Sequence, residues 1–348
     1  MKILLVKLSS LGDILHNLPV VWDIRRTYPD AQIDWVIEEA YSQLLEPLKT
    51  TESFKGIDRI ISFSTRRWKK ELKQGYFSKV FREFSELKKQ LQITSYDIIA
   101  DTQGLLKSAL IAKLAKKSVQ GQIVGIGNRT EGSGYEPVAR WLYDQSTQVP
   151  LRYHAVDRSR AVITEALKMP LPDRDTHPPR FYPEDYLPSL KNQPNPLGLE
   201  QDQYVLCFHA TARLAKSWPM EDWVQLAKEI HQQGLVAVFP WGNLTEKKIS
   251  EQIVASLSDQ SIVPRAFSIQ EALILIAQAR ATVGVDTGLT HLSAILNQPT
   301  IEIYVDSPVW KTEGYWNSQI YNMGDLGRAP EFTEVIAQLE QLLVPPIG

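Results

Sequence analysis

Short apolar runs alternate with helix-patterned stretches twice along this chain, once on each side of a proline-rich segment. On the first side, strands are predicted at 2–8, 32–38, 59–63, 97–101 and 122–125, and helices at 18–27, 77–91, 105–116 and 155–168. Residues 170–196 then carry eight of the chain's 21 prolines and keep no amphipathic period. On the second side, strands are predicted at 204–209, 235–240, 261–263, 281–285 and 300–304. The second set of helices is predicted at 220–233, 246–257, 269–279, 288–296 and 332–343. Alternation of this kind argues for an α/β protein with parallel sheets. The expected organisation is a first domain over 1–169, a linker over 170–200 and a second domain over 201–348. Ligands of such sheets bind at the carboxyl ends of the strands. The expected binding region is therefore a cleft between the carboxyl edges of the two sheets.

Composition narrows the function class. At 348 residues the chain is long enough for two domains of ordinary size. Its formal charge is −2, so no global basic excess points to nucleic acid. Cys207 is the single cysteine, which excludes an intrachain disulfide and suggests a reducing compartment. No apolar run approaches a membrane span. The start, MKILLVKL, reads as a buried first strand rather than a signal peptide, because its apolar core is short and Lys7 follows. The expectation is a soluble, cytoplasmic protein that meets a membrane only at its surface.

Residues 281–296, ATVGVDTGLTHLSAIL, read as a strand feeding directly into a helix. Asp286, Thr287 and Gly288 occupy the junction. There the free N–H groups of a helix start and the helix dipole favour an anion, and Gly288 has no Cβ to keep a phosphate away. Thr287 and His291 are four residues apart and share a helical face. A diphosphate site fits this corner; a simple N-cap and turn fits it as well.

Other stretches carry chemistry in similar double form. In KLSSLGDILHNLP, Ser9, Ser10 and Gly12 make a small-residue loop after the first strand, and Asp13 opens a helical segment. Its carboxylate suits proton acceptance from a hydroxyl, and it equally suits a helix start. Lys216, in TARLAKSWP, suits neutralisation of a diphosphate. Glu246, after PWG, suits ribose hydroxyls or a helix N-terminus. Residues 55–90 hold eleven Lys and Arg against four Asp and Glu. At their centre Arg66, Arg67, Trp68, Lys69 and Lys70 are expected in a loop after a strand, placed to grip a polyanion. GIGNRT lacks the third glycine of a dinucleotide fingerprint and reads as a turn. Asp173-Arg174-Asp175 has a DxD form but is expected to be a solvated loop. With no GxxxxGK[ST], CxxC or HExxH pattern, no metal site is expected.

KLSSLGD near the start, RRWKK, DTQGLLKSA at 101–109, HAT followed by KSWP, PWG, and VDTGLTHL occur in this order. As an ordered set they resemble the lipopolysaccharide heptosyltransferases, over a span from Met1 to about Tyr304. The resemblance implies a GT-B fold, with two Rossmann-like domains facing across a cleft. It implies a metal-independent, inverting transfer of heptose from ADP-heptose to a Kdo residue of the inner core, with no cofactor beyond that co-substrate. On this pattern Asp13 is the general base and Lys216 its catalytic partner at the leaving group. Ser9, Ser10, Gly12, Thr211, Glu246, Asp286, Thr287, Gly288 and His291 belong to the donor. Arg66, Arg67, Lys69, Lys70 and Gln103 meet an acidic Kdo-lipid A acceptor at the cytoplasmic face of the inner membrane. The chain departs from the pattern at Ala212, where a second threonine is usual. It departs again at Val305-Asp306-Ser307-Pro308, where the family continues with glycine and a threonine-containing turn.

Two other classes compete. A sugar-nucleotide epimerase of the same fold would use the same corner but has no polyanionic acceptor for the basic stretch. A two-lobed solute-binding protein would be expected to carry a signal peptide.

Overall fold

The computed structural model describes residues 1–131, 133–211, 213–257 and 261–343, apart from the side chain of Leu214. The chain divides into two compact units, Met1–Tyr182 and Pro183–Gly348.

In the first unit the strands are β1 (Lys2–Val6), β2 (Gln32–Glu38), β3 (Arg59–Phe63), β4 (Tyr96–Asp101), β5 (Lys117–Ile126) and β6 (Gln145–Thr147). The helices are α1 (Leu11–Leu15), α2 (Pro19–Thr27), α3 (Thr65–Lys73), α4 (Phe77–Gln92), α5 (Leu106–Leu114) and α6 (Ala155–Leu167). The sheet order is β3-β2-β1-β4-β5-β6, and every pairing is parallel. Leu4, Val6, Val36, Ile61 and Ile99 on one sheet face pack with Trp68, Val80, Leu87, Leu91 and Ile111 from α3, α4 and α5. Strands covered on both faces read as continuous apolar runs, which is why β1 and β2 are legible from the sequence.

The second unit repeats the plan. Its helices are α7 (Tyr186–Lys191), α8 (Met220–Gln232), α9 (Leu244–Ala255), α10 (Ile269–Gln278), α11 (Gly288–Ile295) and α12 (Phe332–Leu343). Its strands are β7 (Tyr204–Phe208), β8 (Val236–Val238), β9 (Ser261–Ile262), β10 (Ala281–Val285), β11 (Thr300–Tyr304) and β12 (Ile320–Gly324). They lie in the order β12-β11-β10-β7-β8-β9, again all parallel. Val205, Cys207, Val283, Val285, Ile301 and Ile303 form the core with Trp223, Ile230, Val335 and Leu339. At Gly284 an added Cβ would come within 2.1 Å of the Thr290 hydroxyl, so this glycine lets α11 lie close on β10.

Each sheet has a switch point where the strand order reverses, between β1 and β4 in one unit and between β7 and β10 in the other. Crevices form there at the carboxyl ends of the strands.

The structure adds elements absent from the predicted set, β6, β12, α3 and α7, and the helical segment expected to open at Asp13 is α1, starting at Leu11. β6 and β12 are edge strands, and their sequences QST and IYNMG lack a sustained apolar run. The basic stretch at 66–70 is helical, inside α3, rather than in a loop. Ser64 caps this helix by accepting from the Arg67 N–H. Trp68 and Glu71 face inward, a one-turn period that the surrounding lysines hide in the sequence.

Within the stretch expected as a linker, the chain is docked on both units in turn. The Trp22 indole donates to the Phe181 carbonyl at 3.0 Å, and Arg180 lies over the Trp22 ring. After residue 183 the chain forms α7, whose Leu190 is buried. The Gln278 amide donates to the carbonyls of Leu190, Lys191 and Gln193. Asp173 folds into a turn, accepting from the N–H groups of Asp175 and Thr176, and Arg174 pairs with Asp157.

Candidate active site

In the first unit the loop after β1 meets the loop after β4 at the switch point. The Gln103 side chain holds the two together. Its Oε1 accepts from Leu8 N at 2.7 Å and Ser9 N at 3.3 Å, and its Nε2 donates to the Ser9 carbonyl. Gln103 is positioned in turn by Asp101, which is fully buried and accepts from Gln103 N and Gly104 N. Burial raises the Asp101 carboxyl, and hydrogen bonds from Ser108, Tyr143, Gln103 and Gly104 oppose the rise. Gly104 stands at φ +76°, a conformation that favours glycine.

Asp13 sits in α1, directly above this junction. Its carboxylate accepts from the Ser10 N–H at 3.1 Å and the Ser10 hydroxyl at 2.9 Å, so it does serve the helix start. It also faces two cations: Lys7 Nζ at 3.9 Å and an Arg158 nitrogen at 3.8 Å. Desolvation works against the charge. The field of Lys7 and Arg158, with the Ser10 bonds, outweighs it and brings the Asp13 carboxyl down to about 2. Lys7 is buried and donates to the Thr102 carbonyl at 3.0 Å. Burial lowers its ammonium to about 8, although Asp13 pulls the other way. These groups line a small pocket with Leu105, Ile126 and Ser133. Asp13 keeps 40% of its side chain exposed, so it is the group of the three that an entering hydroxyl can reach. Ser9 is half-buried and Gly12 is in α1, both beside this carboxylate in sequence.

In the second unit the corner after β10 is built from a chain of charges. Lys216, in a short 3-10 turn after β7, donates to the Asp286 carboxylate. The other Asp286 oxygen lies 2.9 Å from His291 Nε2, and His291 Nδ1 lies 2.8 Å from Glu302 Oε1. Glu302 Oε2 accepts from the Tyr304 hydroxyl at 3.0 Å and the Gly314 N–H at 3.1 Å. Burial opposes a charge on His291, but the Glu302 and Asp286 carboxylates raise its imidazolium to about 10. Asp286 is held far below the usual carboxylate range: burial opposes this, and His291 and Lys216 prevail. Two cations face two carboxylates, which leaves the corner neutral overall. The free N–H groups at the first turn of α11 then carry the attraction for an anion.

The expected site residues separate into two groups. Thr287 is the N-cap residue of α11 and Gly288 its first residue, at the surface of the corner. Thr211 is half-buried in the loop after β7. Ala212 lies outside the described residues. His291, expected at the donor, lies behind the corner. It is buried with both ring nitrogens on carboxylates, so it supports Asp286 from behind. The Glu246 carboxylate accepts from Gly242 N and Asn243 Nδ2, both at 2.6 Å, which makes it part of the cap of α9. Arg67 is engaged by Glu39, Glu71 and Glu83, whereas Arg66, Lys69 and Lys70 on the same helix are exposed. The sequence reading missed Glu302, Arg158 and the buried role of Lys7. A glutamate in the middle of the apolar run TIEIY is the signal by which Glu302 could have been found. Among the described residues, no group of three or more His, Cys, Asp and Glu is gathered to hold a metal ion.

The profile of glycosyltransferase family 9 (heptosyltransferase) matches residues 84–340. Lipopolysaccharide heptosyltransferase 1 of Pseudomonas aeruginosa is 32% identical over 339 residues, covering 95% of this chain and 86% of that protein. The protein of the same name from Escherichia coli K12 is 30% identical, covering 92% of each. Among solved structures, an Escherichia coli heptosyltransferase with ADP superposes with a TM-score of 0.78 at 26% identity, covering 98% of this chain and 100% of that one. A second structure, with ADP-2-deoxy-2-fluoro heptose, gives 0.72 at 28% identity, covering 99% of each.

Proposed function

The chain belongs to glycosyltransferase family 9, the heptosyltransferases, and from that premise we propose that it moves heptose from ADP-heptose to a Kdo residue of the lipopolysaccharide inner core, with inversion and without a metal. The fold class is α/β, GT-B. Membership in a transferase family decides against an epimerase and against a binding protein. The relatives solved with ADP and with an ADP-heptose analogue support the donor assignment.

The observation that carries the reading is that each unit holds one half of the chemistry at its own switch point: a reachable carboxylate, Asp13, in the first, and an anion corner at the start of α11 in the second. Asp13, with its cation neighbours, belongs to the acceptor. The corner belongs to the donor diphosphate. The acceptor hydroxyl attacks the anomeric carbon, the new C–O bond forms, and the bond to the diphosphate oxygen breaks with its electron pair. Lys216 and the N–H groups of α11 stabilise the departing ADP; one such preorganised donor is worth roughly 3–4 kcal/mol. They supply positive field at the leaving group from the chain's own atoms, which supports transfer without a metal.

A carboxylate held at about 2 is a weak base. It does not take the proton from a neutral hydroxyl. It accepts that hydroxyl's hydrogen bond and takes the proton late, once the forming C–O bond has made the oxygen strongly acidic. Exposed Arg66, Lys69 and Lys70 suit the acidic groups of a Kdo-lipid A acceptor. Gln103 lines the same small pocket as Asp13 and holds its loop, which supports the acceptor role expected of it. The loop 305–308, directly after β11, supports a role in reading the donor sugar, because β11 also carries Glu302 behind the corner. Incubation with ADP-heptose and Kdo-lipid A, with and without EDTA, followed by mass spectrometry and NMR of the anomeric centre, tests the reading. A heptose adduct of inverted configuration that survives EDTA is expected; no adduct, a retained configuration or a divalent requirement overturns the corresponding part.

A further inference from the structure

The helical hairpin α3–α4 has a surface that the transfer reaction does not use. On α4, Val80, Leu87 and Leu91 face the core. Beside that stripe runs a second one, Phe77, Phe81 and Phe84, at i, i+4 and i+7, which faces outward. Phe77 is 65% exposed and Phe81 72% exposed. Tyr76 at the hairpin turn and Leu72 on α3 are exposed as well. Single exposed apolar residues need no explanation, but a row of aromatics on one helix does.

The charges around the row have one sign to spare. Residues 65–92 hold nine Lys and Arg against three Glu. Each of those glutamates already faces a cation: Glu71 meets Lys79, Glu83 meets Arg67, and Glu86 meets Lys89. Besides Arg66, Lys69 and Lys70, which the proposed reaction gives to the acceptor, Lys73, Arg82 and Lys88 have no carboxylate partner among the described residues. Lys88 lies one turn beyond Phe84, at the end of the aromatic row itself. An amphipathic surface with an aromatic stripe and unpaired cations fits the interface of an anionic bilayer, where rings enter the headgroup layer and cations meet lipid phosphates. A protein partner would ask for a shaped apolar face with polar groups paired across it; the dense excess of one charge favours lipid. The helix is too short and too polar to cross the bilayer, and no helix among the described residues is long and apolar enough to do so.

We propose that the α3–α4 hairpin docks this chain on an anionic phospholipid surface, with Phe77 and Phe81 in the headgroup layer and Lys73 and Lys88 on lipid phosphates. This contact is with the bilayer and not with the acceptor sugar, so it goes beyond the transfer reaction proposed above.

The test is sedimentation of the full chain with vesicles that contain no lipopolysaccharide: phosphatidylcholine alone, or phosphatidylcholine mixed with phosphatidylglycerol. Binding to the mixed vesicles is expected, about tenfold or more weaker on phosphatidylcholine alone, and weakened by salt. Phe77→Ser with Phe81→Ser is expected to lower binding about tenfold through lost apolar burial, with an unchanged melting temperature and unchanged transfer to a water-soluble acceptor fragment. Lys73→Glu with Lys88→Glu is expected to abolish the preference for anionic vesicles. No binding of the wild type to acceptor-free vesicles overturns the proposal, as does binding unaffected by the serine pair. A dimer in light scattering that the serine pair dissolves assigns the patch to a second copy instead and also overturns it. Failure of transfer on the soluble fragment speaks against the proposed reaction and leaves the docking result standing.

Discussion

His291 Nδ1 lies 2.8 Å from Glu302 Oε1, inside the second unit and behind the Asp286 carboxylate that takes the other ring nitrogen. A helix residue and a residue of the neighbouring strand thus fix the ring in one orientation, as an imidazolium. Lys216 closes the line from the opposite side of the switch point. The arrangement is rigid because each member's charge is held in place by the next.

Glu302→Gln is expected to release this line. The imidazolium loses one of two carboxylates, so its ionisation falls well below about 10. Removing one partner of a buried charge network costs about 3–5 kcal/mol, read as a lower urea midpoint, and the imidazole resonances in NMR are expected to titrate at lower pH. Unchanged titration would show that Glu302 does not set the charge of His291.

The same network gives stability a defined pH window. The raised His291 contributes fully below its ordinary value of 6.5, and that contribution is lost as pH rises through about 10. Asp286 and Asp13 are depressed, so their contributions are present above the ordinary carboxylate range. They are lost as pH falls below it, toward about 2 for Asp13. Denaturant titrations at several pH values are expected to show a plateau between these limits and a decline on both sides.

Asp13→Asn separates the two tasks of that carboxylate. Asparagine can still cap α1 but no longer faces Lys7 and Arg158 with a charge, so a stability loss of about 1–2 kcal/mol after solvent screening and unchanged ADP binding are expected. Loss of proton acceptance is expected to lower kcat roughly 10²-fold or more. Because Asp13 is held at about 2, it stays ionised from pH 8 to 6 and contributes no loss of activity there. Wild-type turnover in this variant would leave Asp13 a capping residue only.

Lys7 ionises near 8, within the range of ordinary assays. As pH rises through that value the pocket beside Asp13 loses a positive charge. The KM for an acidic acceptor is therefore expected to increase between pH 7 and 9 in the wild type. Lys7→Met is expected to give a high, pH-independent KM across the same interval, checked by initial rates at constant ionic strength. A wild-type KM that does not change with pH would remove Lys7 from acceptor binding.

On α3 the basic residues are not equivalent. Arg66, Lys69 and Lys70 changed together to Ala are expected to raise the acceptor KM severalfold and to leave ADP affinity intact. Arg67→Ala breaks contacts with Glu39, Glu71 and Glu83, so a lower melting temperature is expected as its main effect. Calorimetry with ADP and thermal melts distinguish the two; a triple variant that loses ADP binding would contradict the division.

The chain's own sequence determined the elements and their kind. β10 spans 281–285, β11 spans 300–304 and β2 spans 32–38, all with the bounds read from their apolar runs. A buried strand is apolar along most of its length, so burial writes itself into local pattern even where an acid such as Asp34 or Glu302 interrupts it. The ordered motifs likewise sufficed to place the family. Only the tertiary structure decided which residues meet. Lys216 and Asp286 are 70 residues apart, and Lys7 and Thr102 are 95 apart. Each pair comes together because the crossovers place β7 beside β10 and β1 beside β4, an adjacency that no local period records. Arg158 reaches Asp13 from α6 for the same reason. The tasks of His291 and Glu246 were undecided in one dimension, because a helix-start acid or a histidine one turn along satisfies a capping role and a ligand role with the same spacing. The tertiary structure adds where their polar atoms find partners: His291 on Asp286 and Glu302, and Glu246 on Gly242 and Asn243.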